Sequence, residues 1–266
     1  MTKATETGYA EVNGIRLYWE SRGSGGTPLV LLHGGYGSTS SVADVAAALA
    51  TDRQVISVDL QGHGRTADID RPITCEAMGD DISALIDHLA LGETDLMGYS
   101  FGGGAALRCA IQHPDRVRRL VVISTPFSNT AWYPAVWPQM QQMGSGLFEM
   151  FKHTPQYAEY AAVAPDVDHF PELMDKMGAL LRSSYDWSDD VRGMDLPVLL
   201  VFGDADSMPI SYVGRFFELL GGNQADGSWD RSGVPASKVA ILPDTTHYDI
   251  FASPLLPGIA HTFLAG

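Results

Sequence analysis

The stretch Asp95-Leu96-Met97-Gly98-Tyr99-Ser100-Phe101-Gly102-Gly103-Gly104-Ala105-Ala106 decides the fold. It runs from a short apolar segment, which predicts a buried strand, into a small-residue segment that predicts a helix. A single serine stands at the turn, flanked by glycines in the pattern Gly98-x-Ser100-x-Gly102. Such glycines let a cramped strand-to-helix turn form without Cβ clashes, as a nucleophile elbow requires. Because this short pattern also arises by chance, its meaning depends on the rest of the chain.

Short apolar runs on both sides of this stretch predict further strands at residues 28–32, 54–59, 117–123, 197–202 and 239–242. Segments with helical character alternate with them at residues 42–50, 76–91, 103–112 and 210–220, and a last helix starts near Pro254. Residues 9–20 predict a hairpin about Asn13-Gly14. This alternation is typical of the α/β class, with parallel strands covered on both faces.

The alternation breaks at Pro126 and resumes at about residue 196. The intervening segment is rich in Trp, Tyr, Phe and Met, and its prolines divide it into short helices. We therefore expect one core formed by residues 1–125 and 196–266, with residues 126–195 inserted into it as a small helical unit.

The composition describes a globular protein of 266 residues with a formal net charge of −15. This charge argues against nucleic acids and anionic membranes as partners. No apolar run reaches the length of a membrane span, and the N-terminus lacks the apolar core of a signal peptide, so we expect a cytoplasmic protein. Cys75 and Cys109 are interpreted as buried free thiols.

Candidate chemical groups follow four of the predicted strands. They are Ser100, the run His33-Gly34-Gly35-Tyr36, the pair Asp204 and Asp206, and His247. The carboxyl ends of parallel strands share one edge of a sheet, so these groups are expected to meet there. A serine hydroxyl becomes a strong nucleophile only when a base removes its proton, and a carboxylate must hold that base. Serine, aspartate and histidine in this chain order fit a nucleophile on an elbow.

Five motifs in this order resemble the α/β-hydrolase superfamily: HGGYGS (33–38), DLQGHGR (59–65), GYSFGG (98–103), VFGDADSMP (201–209) and TTHYD (245–249). The resemblance implies a mostly parallel eight-stranded sheet flanked by helices, with residues 126–195 as a small helical cap. It also implies that Ser100 is the nucleophile and His247 the general base and acid. The backbone N–H groups of Gly35 and Phe101 would form the oxyanion hole.

Two carboxylates are candidates for the acid of the triad. The Gly-x-x-Asp-x-x-Pro spacing that is usual in the superfamily selects Asp206. Asp204 is then expected to shape the turn by accepting backbone hydrogen bonds. His33 and His63 are interpreted as residues that hold loops in place rather than as proton carriers.

The insertion predicts an apolar pocket without an obvious charged anchor. The candidate substrate-binding residues of this pocket are Tyr36, in the loop after the strand at 28–32, and Trp132, Trp137 and Met140 of the insertion. No metal or cofactor is expected, because the chain lacks His-Glu-x-x-His and Cys-x-x-Cys motifs and any complete nucleotide-binding glycine pattern. The expected partner is a small-molecule ester or lactone, and the sequence leaves both a monomer and a homodimer open.

The leading hypothesis is a serine hydrolase that cleaves carboxylic esters of apolar small molecules through an acyl-enzyme on Ser100. A lactonase would use the same triad. A carbon–carbon bond hydrolase of aromatic degradation and an amidase or peptidase remain alternatives, as does a small-molecule receptor of the same fold that does not catalyse. Haloalkane dehalogenases and epoxide hydrolases usually carry Asp at the nucleophile position, so Ser100 argues against both.

Overall fold

An eight-stranded sheet lies at the centre of the structure, a computed structural model that describes residues 6–266. In chain order its strands are β1 (Glu6–Val12), β2 (Ile15–Arg22), β3 (Leu29–Leu32), β4 (Val55–Asp59), β5 (Thr94–Tyr99), β6 (Val117–Ile123), β7 (Val198–Ala205) and β8 (Lys238–Thr246). Across the sheet they run β1-β2-β4-β3-β5-β6-β7-β8. Only the β1–β2 and β2–β4 pairs are antiparallel. The predicted α/β class with a mostly parallel eight-stranded sheet is confirmed.

Helices flank the sheet and fill the segment between β6 and β7. The flanking helices are α1 (Ala43–Leu49), α2 (Cys75–His88), α3 (Phe101–Gln112), α9 (Ile210–Leu219) and α10 (Leu256–Ala265). Those between β6 and β7 are α4 (Trp137–Gln141), α5 (Phe148–Phe151), α6 (Pro155–Val163), α7 (Phe170–Arg182) and α8 (Ser188–Arg192). Helix α3 begins directly after Ser100, earlier than its small residues suggested. None of the helices between residues 6 and 266 is long and apolar enough to cross a bilayer.

Side chains of the central strands alternate between two buried layers. Leu96 of β5 packs with α2 and α3 on one face, whereas the next residue, Met97, packs with α1 and α10 on the other. This alternation follows from the period of two along a strand. Because both faces are covered, the central strands are almost continuously apolar, which is why they were readable as short runs in the sequence.

The insertion (residues 126–195) packs on the layer that contains α2 and α3. Phe170 and Met174 of α7 are fully buried there. Polar contacts also join it to loops of the sheet: the Ser38 hydroxyl donates to Glu159 at 2.6 Å, and Lys176 Nζ lies 2.5 Å from Asp68 Oδ2. The insertion therefore covers the loops at the carboxyl ends of the strands. Its division from the core as a separate unit stays a prediction.

Two fully buried histidines hold the loops that follow β3 and β4. The Nδ1 atom of His33 lies 2.7 Å from the Gly34 carbonyl oxygen, and its Nε2 accepts from the Leu60 N–H at 3.1 Å. The Nδ1 atom of His63 lies 2.8 Å from the Gln61 carbonyl oxygen, and its ring stacks on Phe101. Burial lowers the pKa of His33 to about 4 and that of His63 to about 3. Both rings are therefore neutral in the folded protein at neutral pH.

We expect the free energy of unfolding to fall in mild acid because of these two histidines. The unfolded chain binds protons at histidine below pH ~6.5, whereas the folded protein does not until about pH 4, so each ring removes about 1.4 kcal/mol of stability per pH unit in that window. His63→Gln should therefore reduce the loss between pH 7 and pH 5 by about 2 kcal/mol. Urea unfolding at several pH values measures it.

The exposed His153 provides the matched control. His153→Gln should leave the pH dependence of unfolding unchanged. Asp59 has the opposite effect on the pH dependence of stability, because burial raises its pKa to about 6. Its contribution is the same in all three proteins, so it cancels when the variants are compared with the wild type. If His63→Gln and His153→Gln unfold with the same pH dependence, the protonation of His63 is not what limits stability in acid.

Candidate active site

Ser100 lies at the tip of a sharp turn between β5 and α3. Its φ of 51° and ψ of −114° are unusual for a residue with a Cβ atom. Side chains at the surrounding glycines would clash: a Cβ at Gly98 would overlap the Gly102 carbonyl, and one at Gly102 would overlap the His33 carbonyl. Only glycine fits at these positions, which is the reason for the Gly-x-Ser-x-Gly pattern.

A line of hydrogen bonds joins the three residues predicted as a triad. The Ser100 Oγ atom lies 3.1 Å from His247 Nε2, and His247 Nδ1 lies 3.2 Å from Asp206 Oδ1. A carboxylate can only accept, so Nδ1 carries the proton and Nε2 presents its lone pair to the serine hydroxyl. His247 and Asp206 are only 8% and 5% exposed. The geometry suits removal of the serine proton by the imidazole.

The second oxygen of Asp206 is also held. The Ser124 hydroxyl donates to Oδ2, and the Gly203 N–H donates to the same atom at 3.4 Å. Burial alone would raise the pKa of Asp206, but the hydrogen bond and charge of His247 and the bond from Ser124 outweigh it and lower the pKa. Asp206 is therefore ionised at neutral pH and able to stabilise a positive imidazole.

Asp204 is exposed and makes a different contact. Its Oδ1 accepts a hydrogen bond from the Thr245 N–H at 3.1 Å, and such backbone bonds lower its pKa. It thus ties the end of β7 to the end of β8, two residues before His247. The structure brings Asp206 to the histidine, in agreement with the choice made from the motif spacing. The catalytic role of either carboxylate stays a prediction.

Sequence reasoning missed three residues that support this line. They are Ser124, described above, Tyr99, whose hydroxyl donates to the His247 carbonyl oxygen at 2.6 Å, and Thr125, whose hydroxyl donates to the Ser100 carbonyl oxygen at 3.1 Å. Ser124 and Thr125 directly follow β6. The only available signal was their position at a strand end, because the sequence does not reveal that β6 lies between β5 and β7.

Gly35 and Phe101, the residues proposed to form the oxyanion hole, lie close together. Phe101 is the first residue of α3, so its N–H has no acceptor within the helix. A Cβ built on Gly35 would lie 3.9 Å from the Phe101 Cβ and 3.0 Å from the Met177 Cε. The loop after β3 therefore approaches the start of α3 closely next to Ser100. Their role as an oxyanion hole stays a prediction.

A cavity of about 1220 Å³ opens above Ser100 and His247. All four predicted substrate-binding side chains, Tyr36, Trp132, Trp137 and Met140, line it. The insertion supplies most of the apolar wall, and the Trp132 ring centroid lies 6.0 Å from that of His247. The expected apolar walls are present. The sequence did not reveal, however, that several carboxylates and two basic side chains also line the cavity.

Comparison with known proteins finds relatives that align with most of the chain. The chain is 40% identical over 255 residues to the dihydrolipoyllysine-residue acetyltransferase component of the acetoin cleaving system of Pseudomonas putida, with 90% of this chain aligned. It spans only 63% of that relative's length. It is also 30% identical over 243 residues to the pimeloyl-[acyl-carrier protein] methyl ester esterase of Neisseria meningitidis, covering 84% of this chain and 90% of that protein.

A solved structure shares the fold. Carboxylesterase CesB from Bacillus subtilis superimposes with a TM-score of 0.75 at 21% identity, over 98% of this chain and 92% of that one. The sequence profile of the alpha/beta hydrolase fold family matches residues 27–162, which include the elbow, the loop after β3 and the start of the insertion. The chain belongs to the alpha/beta hydrolase fold family.

Proposed function

We propose that this protein is a serine hydrolase that cleaves carboxylic esters of apolar small molecules through an acyl-enzyme on Ser100. The observation that carries the proposal is the hydrogen-bonded line from Asp206 through His247 to Ser100, which ends in an apolar cavity. Membership of the hydrolase family supports hydrolysis. Similarity to a methyl ester esterase supports an ester as substrate.

Acylation uses the serine as nucleophile. As Ser100 Oγ attacks the ester carbonyl carbon, His247 Nε2 takes the hydroxyl proton, and Asp206 stabilises the positive ring. The carbonyl oxygen becomes negative and accepts hydrogen bonds from the N–H groups of Gly35 and Phe101. When the tetrahedral intermediate collapses, His247 gives its proton to the leaving alcohol.

Deacylation repeats these steps with water. His247 removes a proton from water, the resulting oxygen bonds to the acyl carbon, and the carboxylic acid leaves as Ser100 regains its proton. A lactone follows the same course, except that the alcohol stays attached to the acyl group. Lactone hydrolysis is therefore a variant of this mechanism rather than a different one.

Replacing the nucleophile should abolish turnover. Ser100→Ala is expected to lower kcat/KM for short p-nitrophenyl esters by about 10⁴-fold or more, because no acyl-enzyme can form. The measurement uses a panel of esters, lactones, amides and a ring-fission dienone, with the variant as the blank. Equal rates for Ser100→Ala and wild type would overturn the proposal. A ligand-induced rise in Tm without turnover of any compound would favour a receptor.

The two neighbouring aspartates provide a matched pair. Asp206→Asn is expected to lower kcat by about 10³- to 10⁴-fold, because an amide stabilises neither the required tautomer nor the positive ring of His247. Asp204→Asn should cost less than about 10-fold, because an amide oxygen can still accept from the Thr245 N–H. Steady-state kinetics on one ester decides between them. A larger loss in Asp204→Asn than in Asp206→Asn would show that Asp204, and not Asp206, is the acid of the triad.

A further inference from the structure

More acidic than basic side chains line the cavity above Ser100. Two basic side chains line it, Arg71 and Lys176. Five carboxylates line it as well: Asp70, Glu76, Glu159, Glu172 and Asp175. The charge that a substrate meets depends on whether the two basic groups are free to bind it.

Both basic groups are already paired with carboxylates: Arg71 with Asp81, and Lys176 with Asp68 and, at 3.5 Å, with the lining residue Glu172. Arg71 Nη2 lies 2.5 Å from Asp81 Oδ2, and Arg71 also donates to the Gln61 side chain. Lys176 Nζ lies 2.5 Å from Asp68 Oδ2 and donates to a backbone carbonyl. The side chains of Asp81 and Asp68 are only 1% and 6% exposed. Removing either base from its buried partner would leave an uncompensated charge, so neither is free to bind a substrate anion.

Two of the lining carboxylates lie next to the loop that carries Gly35. Glu159 accepts a hydrogen bond from Ser38 of that loop at 2.6 Å. Asp175 accepts from the Ser145 N–H at 2.7 Å, and its charge adds to burial in raising the pKa of Tyr36. Within residues 6–266, no basic side chain forms an ion pair with Glu159 or Asp175. Neither negative charge is therefore neutralised by an ion pair.

We infer that this cavity selects uncharged substrates and rejects esters that carry a carboxylate. The inference rests on the proposed ester hydrolysis and names its substrate class. A substrate carboxylate would lose its water shell inside apolar walls, meet like charges and find no free cation. An uncharged group of the same size meets no charge repulsion and loses less hydration. The net charge of −15 adds a weaker repulsion at longer range.

A pair of esters of equal size tests this inference. The mono-p-nitrophenyl ester of adipic acid carries a terminal carboxylate, and its ω-amide counterpart does not. At neutral pH we expect kcat/KM to be about 10- to 100-fold higher for the amide-bearing ester. The ratio should shrink between about 20 mM and 500 mM NaCl, because salt screens charge repulsion and leaves steric effects unchanged. Equal kcat/KM values, or a preference for the acid, would overturn the inference.

A variant of Glu159 separates charge from shape. Glu159→Gln should raise kcat/KM for the acid-bearing ester by about 3- to 10-fold and change that of the amide-bearing ester less. The control is Glu149→Gln, because the Glu149 side chain is 80% exposed, pairs with Lys152 and does not line the cavity. It should leave both values unchanged. A preference that responds neither to salt nor to Glu159→Gln does not come from repulsion by the cavity carboxylates and overturns the inference.

Binding to Ser100→Ala keeps this test independent of catalysis. Calorimetry with the two esters should give a Kd about 10-fold or more lower for the amide-bearing ester. If wild type hydrolyses no ester, the proposed function fails, and this comparison still decides the charge preference. If wild type hydrolyses both esters equally and Ser100→Ala binds them equally, the charge preference fails and the esterase stands.

Discussion

The backbone crowding at Ser100 is the constraint on which the rest of the structure depends. A non-glycine residue at φ 51° and ψ −114° costs about 1–3 kcal/mol, and it persists only where the surrounding structure holds it in place. Here β5 and α3 enter and leave the turn, the Ser100 N–H donates to the Ile123 carbonyl oxygen at 2.9 Å, and Thr125 donates to the serine carbonyl. These contacts hold the hydroxyl at the tip of the turn, where it faces His247. This close packing explains why positions 98, 102 and 103 are glycines, since a Cβ at any of them would clash with neighbouring atoms.

Much of the fold and of the hydrogen-bonded line from Asp206 to Ser100 could be predicted from sequence because both depend on local patterns. Apolar runs of four to eight residues identify strands that are buried on both faces, and the residues directly after them reach one edge of the sheet. Ser100 and His247 follow from that rule. Asp206 followed from the superfamily's motif spacing, and the structure brings it, rather than Asp204, to the histidine.

The remaining contacts could not be predicted because they depend on which strands are neighbours and on how the insertion is placed. Ser124 reaches Asp206 only because β6 pairs with β7. Likewise, Glu159 contacts Ser38 across a sequence separation of 121 residues, and no local sequence pattern predicts such a contact. The charged part of the cavity wall depends on the same kind of long-range placement, since Asp70 and Arg71 come from the loop after β4 and Glu159 and Asp175 from the insertion.

The groups proposed for catalysis and most of the apolar cavity wall therefore come from different parts of the chain, and polar contacts join the two parts. The groups proposed for catalysis stand on the sheet edge, where strand ends fix their positions, whereas Trp132, Trp137 and Met140 belong to the insertion. Ser38, in the loop that carries Gly35, bonds to Glu159 of the insertion. Asp68, in the loop that follows β4, bonds to Lys176 of the insertion. These two contacts fix the insertion to both loops. A change in the insertion that preserves these two contacts is therefore expected to alter the apolar wall without disturbing the line from Asp206 to Ser100.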